Sequence, residues 1–277
     1  MNINETLTKG INALKSENIE DGALIAKELL CYELKKDRQY LIINMYKEID
    51  EFTYNKFIND INKVITGTPP QYITHKQEFM GINFYVDENV LIPQPDTEIL
   101  VENVLDLCNN LKKAKILDLC TGSGAIAVSL GCKLKDAEIV ASDISPDALY
   151  IAKKNSEINN TSIKLINSNL FENLNDTDFD IIVSNPPYIK RSEIGKLSKQ
   201  VQNEPNIALD GGNDGLDFYR LIAKKAKEHL TNGGHLCLEI GYDQKDEVIN
   251  LLQEYSNIKS VKDLGGNDRC IIAQYFK

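Results

Sequence analysis

Asp118-Leu119-Cys120-Thr121-Gly122-Ser123-Gly124-Ala125 follows the apolar run 116–119 and opens a helical pattern over 125–130. A short strand, a two-glycine turn and a helix in succession form the start of a strand–helix–strand crossover. Gly122 and Gly124 permit a tight turn and let a ligand approach the backbone, while the helix start offers unpaired N–H groups. The next apolar run, 137–142, leads into Asp143. An acid at that place accepts hydrogen bonds from both hydroxyls of a ribose. Gly122-x-Gly124-x-x-Ala127 also satisfies the dinucleotide fingerprint, so nicotinamide and flavin nucleotides compete with S-adenosylmethionine for the site. Asp118 favours the methyl donor: a carboxylate before the loop repels a pyrophosphate but lies close to a sulfonium and an ammonium group.

Outward from this loop, strand and helix alternate. Further short apolar runs fall at 162–166, 180–183 and 235–239, separated by helical patterns at 146–158 and 218–230, with another at 245–255. This predicts an α/β fold, a Rossmann-like and mostly parallel sheet with helices on both faces, whose ligands bind beyond the carboxyl ends of the strands. Upstream the periodicity changes. Ile11 and Leu14, then Ile25, Leu29 and Leu30, then Phe57, Ile58, Ile61, Val64 and Ile65 recur at helical spacing until the breaker Gly67-Thr68-Pro69-Pro70. Taken alone, this small all-helical domain reads as a packing module without chemistry. Between the two regions, Phe79, Phe84, Val86, Val90 and Ile92 alternate around Gly81 and Asp87-Glu88-Asn89, as in a β-hairpin linker. Pro93 and Pro95 then lead into a helix near Asp96, with Glu98 in its first turn. The expected domains are 1–68, helical; 69–95, hairpin linker; and 96–277, nucleoside-binding.

The run 180–183 ends in Ser184-Asn185-Pro186-Pro187-Tyr188. Two consecutive prolines cannot donate to a sheet ladder, so the strand stops at Asn185 with its carbonyls free. The Asn185 side-chain oxygen and the Pro186 carbonyl then accept both hydrogens of one –NH₂ group. An amide or aromatic amine is a poor nucleophile because its lone pair is delocalised. Holding both hydrogens turns the nitrogen toward a donor methyl and stabilises the positive charge that develops. Tyr188 offers a flat face to a planar substrate. No strong base is required, in keeping with the absence of a histidine nearby in sequence.

Composition bounds the rest. Among 277 residues, 31 are basic and 41 acidic, a net charge of −10, which argues against a broad electrostatic grip on nucleic acid. The six cysteines are scattered, without a C-x-x-C pair, and His75, His229 and His235 lack metal-ligand spacing, so neither a metal site nor a disulfide framework is expected. No leader-like or membrane-length apolar run is present, and a cytoplasmic protein is expected.

The Asn-Pro-Pro-Tyr tetrapeptide is common to methyltransferases of adenine in nucleic acids and of glutamine in proteins, and other segments choose between them. Pro70-Gln71-Tyr72-Ile73, Glu78-Phe79-Met80-Gly81 and Val90-Leu91-Ile92-Pro93-Gln94-Pro95-Asp96-Thr97-Glu98 precede the nucleoside loop. Glu204-Pro205, Ala208-Leu209-Asp210-Gly211-Gly212, Asp214-Gly215-Leu216, Glu239-Ile240-Gly241 and Asp263-Leu264-Gly265-Gly266-Asn267-Asp268-Arg269 follow the tetrapeptide. In this order the chain resembles the release-factor glutamine N5-methyltransferases, the PrmC or HemK family of class I S-adenosylmethionine-dependent enzymes. The resemblance implies methylation of the Gly-Gly-Gln glutamine of class-1 peptide chain release factors, with S-adenosylhomocysteine as product. It implies Asn185, Pro186, Pro187 and Tyr188 as the glutamine site. It implies Asp118, Cys120, Thr121, Gly122, Ser123, Gly124, Asp143 and Asn185 as cofactor contacts, with Asn169, Leu170 and Phe171 beside the adenine. The helical domain would help recognise the release factor, and a monomer is expected. Two positions depart from the family pattern: Gln94 stands in place of arginine between two prolines, and Asn169-Leu170-Phe171 replaces the usual acid and aromatic pair. The competing readings are an adenine N6-methyltransferase, which would need base flipping and a target-reading surface, and an inactive S-adenosylmethionine-binding protein.

Overall fold

The computed structural model describes residues 1–109 and 111–277. It divides into two compact units, Met1–Lys76 with Leu197–Asn203, and Gln77–Lys196 with Glu204–Lys277. The first unit holds helices α1 (Ile3–Ser16), α2 (Gly22–Leu34), α3 (Arg38–Ile43), α4 (Glu51–Ile65) and the short α5 (Pro70–Thr74). Asn2 starts α1 with a reciprocal cap, its Oδ1 accepting the Glu5 N–H at 2.8 Å while Glu5 Oε2 accepts the Asn2 N–H at 3.0 Å. Leu14, Leu29, Leu30, Phe57 and Ile61 meet in its core, the helical rows expected from their spacing. This unit extends beyond the Gly67–Pro70 breaker because α5 packs on α2. It also includes Leu197–Asn203, where Asn203 Nδ2 donates to the Gly67 carbonyl at 2.8 Å.

The second unit opens with the hairpin β1 (Gln77–Phe79) and β2 (Ile82–Phe84), followed by α6 (Pro95–Cys108). Then come β3 (Lys115–Leu119), α7 (Ala125–Lys133), β4 (Glu138–Asp143), α8 (Pro146–Ile158), β5 (Lys164–Asn167) and β6 (Phe179–Ser184). After the single-turn helices α9 (Arg191–Ile194) and α11 (Asn206–Leu209), between which α10 (Lys199–Gln202) belongs to the first unit, the chain forms α12 (Asp217–His229), β7 (Leu230–Glu239) and α13 (Lys245–Leu251). It closes with β8 (Ser256–Lys262) and β9 (Asp268–Gln274). Seven strands pair in the order β5-β4-β3-β6-β7-β9-β8, parallel except for β9, which runs antiparallel to both neighbours. Alternate residues of β6 serve opposite faces: Ile182 packs with Leu236, Leu238 and Tyr219, whereas Ile181 and Val183 pack with Ile116 and Val128. Central strands buried on both sides explain their unbroken apolar runs.

The hairpin belongs to the core of the second unit. Phe79 and Phe84 are buried edge to face, 6.0 Å apart, among Leu100, Val104 and Ile116. Between β2 and α6 the chain forms no further strand, and Val86 and Val90 are buried from an irregular path. Asn155 of α8 secures that path: its Nδ2 donates to the carbonyls of Tyr85 (2.9 Å) and Ser123 (2.8 Å), and its Oδ1 accepts the Tyr85 N–H (2.6 Å). An Asn155→Ala substitution strips three backbone groups, one buried and two partly buried, of their partner. We expect it to cost about 2–4 kcal/mol, read as a lower midpoint in urea unfolding followed by circular dichroism.

Candidate active site

The loops after β3, β4, β5 and β6 converge on an open cleft of about 670 Å³ at the carboxyl edge of the sheet. Cys120 and Gly122 enter it from β3, Asp143 and Ile144 from β4, Ser168, Asn169 and Leu170 from β5, and Asn185 and Pro187 from β6. The loop after β3 turns through three left-handed residues, Cys120 at φ 58°, Gly122 at φ 54° and Gly124 at φ 80°. A Cβ at Gly122 would meet nothing within 4 Å, so bare backbone faces the cleft there.

Asp118 lies under this loop, fully buried and not among the residues lining the cleft. Its Oδ2 accepts from Thr121 Oγ1 at 2.6 Å and from the Ala127 N–H at 3.2 Å, inside the first turn of α7. The helix start thus holds the protein's own carboxylate, which disfavours a pyrophosphate in the same place. Asp118 Oδ1 is buried without a protein partner, and burial pushes the carboxyl up to about 7 despite the bonds from Thr121 and Ala127. An acceptor left in this state suits a ligand that brings positive charge. Asp143 is oriented by the N–H groups of Gly122 (2.8 Å) and Ser145 (2.9 Å), with its carboxylate at the cleft and its pKa raised by burial. Asn169 Nδ2 is engaged by Glu172 at 2.9 Å. Its Oδ1 remains available to accept from an amino group. Together these residues fit a nucleoside carrying a cationic tail.

At the end of β6, Ser184 Oγ donates to the Leu119 carbonyl at 2.8 Å, tying the tetrapeptide to the start of the nucleoside loop. Asn185 Nδ2 donates to Thr97 Oγ1 of α6 at 3.1 Å, which leaves Asn185 Oδ1 as the outward acceptor. Tyr188 does not line the cleft; its hydroxyl turns inward to Glu239 Oε1 at 3.3 Å. Its backbone lies against the glycine-rich segment 211–215. Gly211 N–H donates to the Ile189 carbonyl at 2.9 Å, and a Cβ on Gly211 would sit 2.7 Å from Tyr188 Cα. Glycine is therefore required there by close approach to the tetrapeptide.

Two more buried carboxyls flank the site. Burial raises Glu239 to about 7 against hydrogen bonds from Thr97 and Tyr188 and the charge of Arg269. Burial likewise raises Glu204 to about 7, although its Oε2 accepts the Ile92 N–H at 2.8 Å. That bond ties the linker residues Val90 and Leu91 to Pro205, Ile207 and Ala208, all of which form cleft wall.

Of the residues expected to contact the cofactor, Cys120, Gly122, Asp143, Asn169, Leu170 and Asn185 line the cleft together. Thr121, Ser123 and Gly124 hold the loop instead: Thr121 bonds Asp118, the Ser123 carbonyl takes Asn155, and a Cβ at Gly124 would press within 3.1 Å of Ala152. Phe171 faces the core and stacks on His229 with ring centroids 4.9 Å apart, so no aromatic face of Phe171 reaches the cleft. Ile144, half exposed directly after Asp143, supplies an apolar surface there. The linker and segment 205–208 are cleft wall that periodicity did not mark, because both are irregular backbone. Among the described residues no group of His, Cys, Asp or Glu has metal-binding geometry, and no helix is long and apolar enough to cross a membrane.

Comparison with known proteins agrees with this geometry. The methyltransferase small domain family matches residues 94–212 and the PrmC N-terminal domain family residues 5–74. Two solved structures share the fold: a methyltransferase from Pyrococcus furiosus (TM-score 0.52, 18% identity, 79% of this chain and 99% of that one), and the Thermus thermophilus 16S rRNA N2 G1207 methyltransferase in complex with AdoMet and guanosine (TM-score 0.53, 20% identity, 72% and 49%). The sheet and its cleft are those of a class I methyltransferase. The release factor glutamine methyltransferases of Clostridium acetobutylicum and Clostridium botulinum are 44% and 39% identical to the chain, covering 99% and 100% of it and 98% and 100% of their own lengths. The chain belongs to the release factor glutamine methyltransferase family.

The state of Asp118 predicts a pH signature. A carboxyl whose folded pKa is raised contributes stability that is complete below its unfolded value near 3.9 and is lost as pH rises through about 7. The Asp118→Asn protein lacks that titration. In the absence of ligand, its Tm relative to wild type should therefore rise between about pH 5 and pH 8; a constant difference in thermal scans would contradict the assignment.

Proposed function

We propose that the protein transfers a methyl group from S-adenosylmethionine to the side-chain amide nitrogen of the glutamine in the Gly-Gly-Gln motif of class-1 peptide chain release factors. The observation that carries this reading is the end of β6, where Asn185 directs its Oδ1 outward and two prolines leave the Pro186 carbonyl without a ladder partner. Family membership along the whole chain supports the release factor as substrate over a nucleic acid, as does the net charge of −10.

In this reading Asp143 accepts the ribose hydroxyls, Asn169 Oδ1 accepts from the adenine amino group, and Leu170 and Ile144 pack on its faces, a reading supported by all four lining the cleft. Asp118, through its unpartnered oxygen and negative charge, favours the cationic end of the molecule. S-adenosylmethionine bound there supplies an electrophilic methyl on its sulfonium and leaves as S-adenosylhomocysteine. Asn185 Oδ1 and the Pro186 carbonyl accept the two N–H bonds of the glutamine amide and turn its nitrogen toward the cleft. They also stabilise the positive charge that develops on that nitrogen, and the surplus proton passes to solvent. Pro187 forms cleft wall beside them, while Tyr188 anchors the tetrapeptide through Glu239 instead of stacking on substrate.

The helical unit is proposed to recognise the release factor. From the end of α3 to the first turn of α4 it exposes Ile42, Ile43, Tyr46 and Phe52, apolar side chains suited to a protein partner. A cytoplasmic monomer is the state in which such a protein would meet its substrate.

The test is transfer from labelled S-adenosylmethionine to a purified class-1 release factor, run beside DNA and ribosomal RNA and mapped by mass spectrometry. Label is expected on the Gly-Gly-Gln glutamine, with Asn185→Ala lowering kcat by about 10²–10³. Label on nucleic acid alone, or a wild-type rate in Asn185→Ala, would overturn the reading.

A further inference from the structure

One side of the cleft is not built by the nucleoside loops. Cys120, Asp143 and Asn169 come from the ends of β3, β4 and β5, whereas Val90 and Leu91 come from the linker, and Pro205, Ile207 and Ala208 from α11 and the proline before it. The place of α11 is fixed by the chain just past the tetrapeptide. The Ile189 N–H donates to the Leu209 carbonyl at 3.0 Å, and the Gly211 N–H donates to the Ile189 carbonyl at 2.9 Å. This wall is therefore fastened beside Asn185-Pro186-Pro187-Tyr188 and not to the loops around the nucleoside. A glutamine whose amide nitrogen reaches Asn185 Oδ1 keeps its own backbone within about 5 Å of that atom pair, a side-chain length. Its neighbours in the peptide then fall against the surface that adjoins the tetrapeptide.

One side chain joins the linker strip of this wall to the α11 strip. Glu204 Oε2 accepts the Ile92 N–H at 2.8 Å across 112 residues of sequence, and both residues are buried. Leu91 precedes Ile92 and Pro205 follows Glu204, so the bond lies where the two strips meet. Without it a buried N–H is left unpaired, which favours a displaced linker whose N–H reaches water. Burial raises Glu204 to about 7, yet the bond does not depend on its charge, because a carboxyl oxygen accepts an N–H in either protonation state. The wall is apolar except for Asn89 and carries no charged side chain. Ile207 stands 53% exposed, so an apolar surface lies open beside the acceptor pair.

We propose that Val90, Leu91, Pro205, Ile207 and Ala208 form the subsite for the uncharged peptide segment flanking the methylated glutamine, and that Glu204 is the positioning residue that keeps its two strips together. The proposal rests on the glutamine amide being received at Asn185 and Pro186, and it deepens that reading by naming what holds the neighbouring residues. Glu204 acts through Ile92 and does not touch the substrate. Two glycines before the glutamine suit such a wall, since a backbone without Cβ atoms lies close against prolines and aliphatic side chains.

The experiment measures kcat and KM for release-factor methylation in wild type, Glu204→Leu, Glu204→Gln and Ile207→Asp. Cofactor affinity is measured alongside by equilibrium dialysis, since the chain has no tryptophan to report binding, and folding is checked by circular dichroism. Ile207→Asp places a charge on the wall and is expected to raise KM for the release factor about tenfold, with cofactor affinity within about twofold of wild type. Glu204→Leu, which has no acceptor for the Ile92 N–H, should raise KM at least about fivefold with the same cofactor affinity. Glu204→Gln keeps an acceptor oxygen and should bring KM back to within about twofold of wild type, at about pH 6 as at about pH 8. An Ile207→Asp enzyme with wild-type KM, a fall in cofactor affinity that matches the rise in KM, or equal KM values in Glu204→Gln and Glu204→Leu would each overturn the proposal. Should Glu204→Leu fail to fold, Ile207→Asp, at an exposed position, decides by the same criterion. Failure of the proposed function itself would be distinct, since wild type would then place no label on the glutamine.

Discussion

Two prolines directly after an apolar central strand leave that backbone with no donor to offer its neighbours, and the site is arranged around this fact. Strand β6 lies between β3 and β7, with ladder partners on both sides as far as Ser184. Pro186 and Pro187 cannot continue the ladder, so the chain leaves the sheet where the cleft begins. The acceptors this leaves need rigid support if they are to stabilise a charge that exists only during transfer. Ser184 supplies it from below through the Leu119 carbonyl, Thr97 from the side through the Asn185 amide, and the backbone of 211–215 from beyond Tyr188. Gln244 adds a further clamp, its Nε2 donating to the carbonyls of Tyr188 (3.0 Å) and Gly215 (3.2 Å).

The same region concentrates buried negative charge. Asp118, Glu204 and Glu239 are each raised to about 7 by burial, and each bonds to a different element that shapes the cleft. Asp118 binds the nucleoside loop, Glu204 holds the linker at Ile92, and Glu239 meets Thr97 and Tyr188. Such groups weaken the ligand-free protein, because desolvating a carboxylate is costly. In exchange they supply oriented acceptors that need no rearrangement when a cationic ligand or an –NH₂ group arrives. Arg269 compensates beside Glu239, whereas Asp118 has no cation from the protein among its bonded partners. Its charge is thus matched by the ligand proposed here.

Much of this architecture was legible in the sequence because the responsible patterns are local. Helix α8 spans Pro146–Ile158 as its periodicity predicts, and β3 to β7 fall on the apolar runs. Asp143, Gly122 and Asn185 reach the cleft because a residue just past a parallel strand has few other places to go. Non-local features were less visible. The β8–β9 hairpin pairs an exposed, weakly apolar edge strand with a buried one, so neither carried a helix-alternating signal. Thr97 sits in the first turn of an ordinary helix, and only the fold brings it to Asn185, 88 residues away. Phe171 was expected at the adenine because the family resemblance implies an aromatic at that place. Leu170, in the left-handed region at φ 49°, turns the chain so that Leu170 lines the cleft and Phe171 enters the core.

The account depends most directly on where the substrate nitrogen binds. A structure of the protein with S-adenosylhomocysteine and a Gly-Gly-Gln peptide would show it. The glutamine nitrogen should lie within about 3 Å of both Asn185 Oδ1 and the Pro186 carbonyl, with Asn185 Nδ2 still on Thr97. A glutamine nitrogen bonded elsewhere, or an Asn185 amide turned with its oxygen toward Thr97, would contradict the central claim.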